Sequence, residues 1–143
     1  MGLSGDGGPA TSASLSGPSG LALDAAGNLY ISDSGNHSVR KVSNGIISTF
    51  VPADASSGTL NPRGLALDSA GNLFIADPDN GSRSFRGGAV FEWSEGSLHS
   101  VFDGGNVPAA GSALAAPTDV AFDSAGNLFI SDHYGLIFKF AKG

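Results

Sequence analysis

The sequence predicts an all-β fold assembled from repeated units of four short strands, on three grounds. A segment in which an Asp-x-x-Gly-Asn turn joins two apolar stretches recurs at Asp24, Asp68 and Asp123. Turn-forming residues dominate: glycine alone accounts for 22 of the 143 residues, and only 14% of residues are charged, against about 25% in typical domains. No segment carries the apolar stripe of helical period, about 10–15 residues long, that a helical bundle or a parallel α/β fold requires.

The repeats are separated by 44 residues from Asp24 to Asp68 and by 55 residues from Asp68 to Asp123. Periods of this size are typical of propeller blades or of a solenoid. The first repeat contains four short apolar stretches bounded by Gly, Asn or Asp. We predict these as strand a (21–24), strand b (29–33), strand c (39–42) and strand d (46–51).

Two aspartates and one glycine occupy the same turn positions in every repeat. In the turn between strands a and b, the glycine can take a positive φ and the aspartate can accept hydrogen bonds from turn amides. The second aspartate ends strand b, and we interpret it as a cap of the b–c turn. The alternative is a ring of carboxylates that binds a cation at a pore. Their recurrence favours the structural role for all nine residues: Asp24, Gly27, Asp33, Asp68, Gly71, Asp77, Asp123, Gly126 and Asp132.

Both ends of the chain fall inside a repeat. Residues 1–17 are similar to the later connector at 106–114, and Pro9 precedes Pro18 by the same nine residues that separate Pro108 from Pro117. The 143 residues predict a single domain, which is either an arc cut from a larger ring or a protomer that completes itself by assembly. Its third unit is expected to lack strand d and to expose the edge of its strand c (136–140) to pairing. Its expected parts are a connector (1–17), a first blade (18–51), a second blade (60–102) and a partial third blade (114–143).

Charge and composition exclude several classes of function. The 7 basic and 13 acidic residues give a net charge of −6, and no basic run is present, so we expect no nucleic-acid partner. No apolar run approaches the ~18 residues of a membrane span, and we expect no membrane partner. Without cysteine the chain has neither a disulfide framework nor a thiolate metal site. The 41% of hydrophobic residues argues against disorder.

The repeated motif resembles the NHL repeat family of β-propellers. In the first repeat it reads Pro-Ser-Gly-Leu-Ala-Leu-Asp-Ala-Ala-Gly-Asn-Leu-Tyr-Ile-Ser-Asp, followed by Ser-Gly-Asn-His-Ser-Val-Arg-Lys-Val. The connector Ser-Gly-Asp-Gly-Gly-Pro-Ala-Thr-Ser-Ala is similar to that of bacterial members. Because bacterial relatives are often secreted, the resemblance favours an extracellular or periplasmic location, although the chain carries no export signal.

The resemblance implies a β-propeller, usually of six blades, of which this chain holds just under three. Two copies related by a two-fold axis would close such a ring, so we expect a homodimer. A domain-swapped or fibrous assembly through the open edge is the alternative.

The b–c loop of the second repeat is the first candidate for a binding site. The second repeat is 11 residues longer than the first, and most of the insertion lies at 78–88. This loop holds Arg83 and Arg86 with Phe85 between them, a combination common in binding hot spots. Arg63 is expected nearby, because b–c loops and d–a connectors should share one propeller face.

We also count His37 and His133 as contact candidates, since both lie in b–c turns. We therefore predict a non-enzymatic binding and assembly scaffold that presents its loops on one face. Besides a second copy, its expected partner is a protein or a small anionic ligand, and no cofactor is expected.

Two alternatives remain open. The first is a lyase or lactonase with a metal at the pore, since peptide-amidating lyases resemble this fold and use a histidine-ligated zinc there. Against it, His37 is expected to be exposed and His99 to lie in an outer strand, whereas a zinc site needs ligands that converge. We therefore predict no metal site and no catalytic residue. The second alternative is a purely structural, self-assembling subunit.

Overall fold

The computed structural model describes residues 4–53, 55, 60–79, 87–103 and 114–142, and its strands form three antiparallel sheets, the blades. The first blade comprises β1 (Pro18–Leu23), β2 (Leu29–Asp33), β3 (Ser38–Ser43) and β4 (Ile46–Val51). The second comprises β5 (Leu65–Leu67), β6 (Leu73–Asp77), β7 (Ala89–Ser94) and β8 (Ser97–Asp103). The third comprises β9 (Pro117–Phe122), β10 (Leu128–Asp132) and β11 (Ile137–Phe140).

In each sheet, strands that are neighbours in the chain are paired, so every blade is a meander. Two short 3-10 turns, Ala10–Ser12 and Ser34–Asn36, are the helical elements of the described residues. None of the helices in this described part is long and apolar enough to cross a membrane.

The strands of the first repeat agree closely with the prediction. β2 and β4 have the predicted bounds, and β3 is one residue longer at each end. β1 begins three residues early because Pro18 still pairs with Asp33, although the register is irregular between Pro18 and Leu21. In the third blade β11 begins one residue later than predicted, since Leu136 closes the b–c turn by accepting a 2.9 Å hydrogen bond from the amide of Asp132.

The apolar core lies between neighbouring blades. One cluster joins the first and second blades around Tyr30, Val39, Leu73 and Ile75, and the other joins the second and third around Phe74, Val90, Ile130 and Phe138. Phe91 and Trp93 lie against the first cluster. Each blade is therefore held by its neighbours.

The blades approach each other most closely at the start of strand a. Ser32 Oγ donates a 2.6 Å hydrogen bond to the carbonyl oxygen of Arg63, and the amide of Gly64 donates to the carbonyl of Thr118 at 3.1 Å. A Cβ atom at Gly64 would clash with the backbone and side chain of Asp119. Glycine is required there because a neighbouring backbone fills the space of a side chain.

The N-terminal segment, residues 4–17, covers the outer edge of the first blade. The amide of Gly7 donates to the carbonyl of Ile47 at 2.9 Å, and the amide of Ile47 donates to the carbonyl of Gly8 at 3.1 Å. Asp6 accepts a 2.9 Å hydrogen bond from the amide of Thr49 and forms an ion pair with Arg40. The N-terminal segment thereby supplies hydrogen-bond partners to the outer edge of β4.

Candidate functional site

The b–c turns and the connectors that lead into strand a lie together on one surface, which we call the loop face. In the first blade the amide of Gly35 donates to the carbonyl of Ser16 at 2.8 Å. In the third blade the amide of His133 donates to the carbonyl of Ala116 at 2.9 Å. The loops expected to share a face therefore do so through direct hydrogen bonds.

Buried aspartates at the end of strand b fix the geometry of the loop face. The Asp132 carboxylate accepts hydrogen bonds from the amides of Ala115 and Ala116 in the connector, and from the amide of Tyr134 in the b–c turn. Asp33 accepts from the amide of Ser16 at 2.6 Å and from the side chain of Asn36 at 2.8 Å. Each carboxylate thus ties a connector to the adjacent b–c turn of its own blade.

Asp77 has the same role in the second blade. It is fully buried and accepts hydrogen bonds from the amides of Asn61 and Asp79, both at 3.0 Å. Burial raises the pKa of Asp77 to about 6, although the two amides and the nearby His37 act in the opposite direction. This carboxyl group therefore titrates in a mildly acidic range.

Arg40 lies beneath the loop face of the first blade, and it was not among the predicted site residues. Its side chain is fully buried, forms an ion pair with Asp6, and places Nη1 3.6 Å from Oδ2 of Asp33. The detectable signal was the pair Arg40 and Lys41 between Val39 and Val42, because adjacent residues of a strand point to opposite faces and both faces of this strand therefore receive a cation. The role of Arg40 is to neutralise the buried Asp33.

The a–b turns occupy the opposite ends of the strands from the loop face. Asp24 accepts hydrogen bonds from the amides of Ala26 and Asn28 and from the side chain of Asn28. These bonds, led by the one from the Asn28 side chain, lower the pKa of Asp24. Asp68 and Asp123 make the same three contacts with their own turns. The turn glycines have positive φ: 82° at Gly27, 89° at Gly71 and 83° at Gly126.

Among the contact candidates, Arg63 is exposed at the start of the second blade. It lines a shallow groove to which all three blades contribute, together with Ser19 and Thr118 at the same repeat position and with Asp119. Arg63 thus supplies a single positive charge where the other two blades place hydroxyl groups.

The histidine candidates do not converge. His37 is half-buried rather than exposed, because Nδ1 of its ring lies 2.9 Å from the carbonyl oxygen of Leu60, to which it donates. His133 is exposed and its ring packs edge-on against Tyr134, with centroids 5.5 Å apart. His99 is exposed on β8. Arg83, Phe85 and Arg86 lie outside the described residues.

A pore-centred metal, as in the lyase alternative, needs several ligands at one point. Within the described ranges, no group of three or more His, Asp, Glu or Cys side chains could hold a metal ion. The residues described do not fit such a centre.

Part of the chain matches a known family model, and solved structures share its fold. Residues 2–59 match the family model described as the teneurin NHL domain. A protein of unknown function from Bacteroides thetaiotaomicron has 22% sequence identity and a TM-score of 0.66, over 92% of this chain and 36% of its own. Virginiamycin B lyase from Staphylococcus aureus has 14% identity and a TM-score of 0.58, over 89% of this chain and 42% of its own.

Both solved structures have low sequence identity to the chain, so the similarity shows that the chain shares their fold and nothing further. The chain spans about two fifths of the length of these structures. No curated protein sequence matches the chain.

Proposed function

We propose that this chain, whose residues 2–59 match an NHL domain model and whose blades share the fold of propeller-type proteins, is a non-enzymatic binding and assembly scaffold. Two copies join through the open ends of their three-blade arcs and close a six-bladed ring. The loop face of that ring presents the contacts for a further partner.

Side chains at equivalent repeat positions are buried in the middle of the three-blade arc and exposed at its two ends. Leu21, at the first-blade end, is 65% exposed, whereas Leu65 and Val120 at the same repeat position are 5% and 4% exposed. At the other end Ile137 is 76% exposed, whereas its counterpart Val39 is fully buried. Burying one such side chain is worth about 1.5–3 kcal/mol, so the exposed ends favour association. This observation carries the proposal.

The two ends differ from each other and are complementary. The first-blade end presents Leu21 and Leu23, at the positions where the second blade packs against the first. The third-blade end presents Phe129 and Ile137, at the positions where the first blade packs against the second. The third blade of one copy can therefore pack on the first blade of another in the way that consecutive blades pack within the chain.

The mass of the chain in solution tests this assembly. Light scattering across a dilution series should give a stable mass of twice 14.2 kDa. Leu21→Lys should reduce that mass to a monomer, whereas Ala25→Lys, which adds the same charge on an exposed a–b turn, should not. A monomeric parent chain, or an open ladder of sizes, would contradict ring closure.

The binding role rests on Arg63 of the loop face and on two arginines that the sequence places in the second b–c loop. Arg63 is exposed on a protein of net charge −6, and Arg83 and Arg86 account for two of the other six basic residues. These side chains suit a carboxylate or phosphate group, which guanidinium binds in a bidentate manner. A poly-glutamate peptide and inorganic phosphate serve as calorimetric probes.

The triple variant Arg63→Ala, Arg83→Ala and Arg86→Ala should lose binding of those probes while keeping the dimer mass. The matched control is Lys41→Ala, which also removes a cation but on β3, where Lys41 covers the Tyr30 ring. Unchanged binding in the triple variant would refute the role of these arginines, and no binding of either probe by the parent chain would leave a purely structural subunit.

A further inference from the structure

The shallow groove lined by Arg63 contains two side chains that break the repeat, and these two carry opposite charges. The segment at the start of strand a reads Pro-Ser-Gly from Pro18, Pro-Arg-Gly from Pro62 and Pro-Thr-Asp from Pro117. The second and third residues of all three segments line the groove, whose volume is about 440 Å³. Arg63 therefore stands where the other blades have a hydroxyl residue, and Asp119 stands where they have glycine.

We propose that this groove binds a zwitterionic ligand, an α-amino acid, with its carboxylate on Arg63 and its ammonium group on Asp119. The inference rests on the proposed binding role of Arg63 and extends it by a second charge of opposite sign. Guanidinium binds a carboxylate in a bidentate manner. An ionised carboxylate only accepts hydrogen bonds and an ammonium group only donates them, so Asp119 complements the other end of the ligand.

The two charged groups of the groove are not paired with each other. Both side chains are exposed, and the ion pairs present among the described residues both belong to Arg40. Oδ1 of Asp119 accepts a 2.9 Å hydrogen bond from the amide of Val120. Within the described part of the chain, Oδ2 of Asp119 and the guanidinium of Arg63 have no hydrogen-bond partner. A ligand that carries both charges would satisfy both groups.

Three hydrogen bonds fix the backbone from which the Arg63 side chain extends. The amide of Arg63 donates to the carbonyl of Ala76 at 2.8 Å, and its carbonyl oxygen accepts from Ser32 Oγ at 2.6 Å. The next amide, that of Gly64, donates to the carbonyl of Thr118 at 3.1 Å. All three blades thus hold the base of this side chain, and such preorganisation lowers the entropic cost of binding.

Close packing places the carboxylate of Asp119 beside the same stretch of backbone. A Cβ atom at Gly64 would clash with Cα and Oδ1 of Asp119, and one at Gly20 would clash with the carbonyl oxygen of Arg63. Asp119 therefore packs against the residue that directly follows Arg63. This short separation suits a ligand that bears its two charges on one carbon atom, as an α-amino acid does.

Hydroxyl groups beside the two charges supply further acceptors. Ser19 Oγ donates to the carbonyl of Pro62 at 3.1 Å, and Thr118 Oγ1 lies 3.0 Å from Ser131 Oγ. A hydroxyl group that donates its one hydrogen still has lone pairs that accept. These oxygens can therefore share the three N–H donors of an ammonium group with Asp119.

Glycine and two of its derivatives test the proposal by NMR. Glycine carries both charges, N-acetylglycine carries only the carboxylate, and glycinamide carries only the ammonium group. Each is titrated into the 15N-labelled full chain, and the Kd is taken from the amide shifts of Gly20 and Gly64, which line the groove. We expect glycine to bind about tenfold more tightly than either derivative, the value of one charge-assisted contact.

Two neutral variants provide a second arm with opposite expected signs. Asp119→Asn should weaken glycine about tenfold and tighten N-acetylglycine, because a like charge no longer faces the bound carboxylate. Arg63→Gln should weaken both ligands. The matched control is Glu95→Gln, which removes a carboxylate on the exposed turn between β7 and β8 and should change neither affinity.

The outcomes separate this inference from the proposed function. If glycine causes no shifts, if it binds no more tightly than N-acetylglycine, or if Asp119→Asn leaves its affinity unchanged, the zwitterionic ligand is refuted. Shifts caused by inorganic phosphate or N-acetylglycine in that case would keep the anion-binding role of Arg63. The dimer mass, which tests the assembly, is measured independently of these titrations.

Discussion

Nη1 of Arg40 lies 3.6 Å from Oδ2 of Asp33, and both side chains are fully buried. Asp6, from the N-terminal segment, forms a second ion pair with the same guanidinium. A buried ion pair contributes little net stability when intact, but removing one partner leaves an uncompensated charge. The first blade therefore depends on a contact that joins its loop face to a segment 34 residues away along the chain.

Arg40→Met should destabilise the chain by about 3–5 kcal/mol, the usual cost of breaking a buried pair. Asp33 would remain buried with its hydrogen bonds from Ser16 and Asn36 but without a cation. The double variant Arg40→Met with Asp33→Asn should lose less than the single variant, since no charge remains buried. Urea denaturation measures both, and a single variant as stable as the parent chain would contradict the role of Arg40.

Asp77 should make stability depend on pH in the mildly acidic range. Its pKa is raised from 3.8 to about 6 by burial, so the folded chain binds more protons than the unfolded chain between these values. The free energy of unfolding should therefore fall as the pH rises from about 4 to about 6. The difference in urea midpoint between the parent chain and Asp77→Asn should therefore change mainly between about pH 4 and about pH 6.

Asp24 is the control for this prediction because its pKa is lowered. The stability it contributes is present above its unfolded pKa and is lost as the pH falls through the lower folded value. Asp24→Asn should therefore change the pH profile in the opposite direction and at lower pH. If both variants changed the pH dependence of stability in the same direction, the opposite pKa shifts of Asp77 and Asp24 would be contradicted.

Gly64 should tolerate no side chain. An added Cβ would meet the backbone and carboxylate of Asp119 in the next blade, and overpacking of this kind costs about 1–3 kcal/mol. Gly8→Ala is the matched control, since its Cβ would lie 3.3 Å from the nearest atom, the carbonyl oxygen of Gly5. Thermal unfolding should show a clearly lower Tm for Gly64→Ala than for Gly8→Ala, and equal values would contradict the close approach of the blades.

Local patterns predicted the strands better than the site. The bounds 29–33 and 46–51 are confirmed, because Gly, Asn and Asp set the turns on either side by chemistry that acts over a few residues. The buried position of Arg40 depends on Asp6, which no local pattern reveals. His37 was expected to be exposed, but its left-handed backbone (φ 56°) and its bond to Leu60 bring it against the next connector.

The orientation of the two copies can be tested by mixing variants. In a head-to-tail ring each junction joins the Leu21 end of one copy to the Ile137 end of the other, so Leu21→Lys and Ile137→Lys should each weaken both junctions. A mixture of the two variants recreates one unaltered junction between unlike copies. Light scattering should therefore show a larger average mass for the mixture than for either variant alone. If like ends paired instead, each variant would keep its unaltered end and would dimerise alone, so dimers in the separate variants would refute the head-to-tail arrangement.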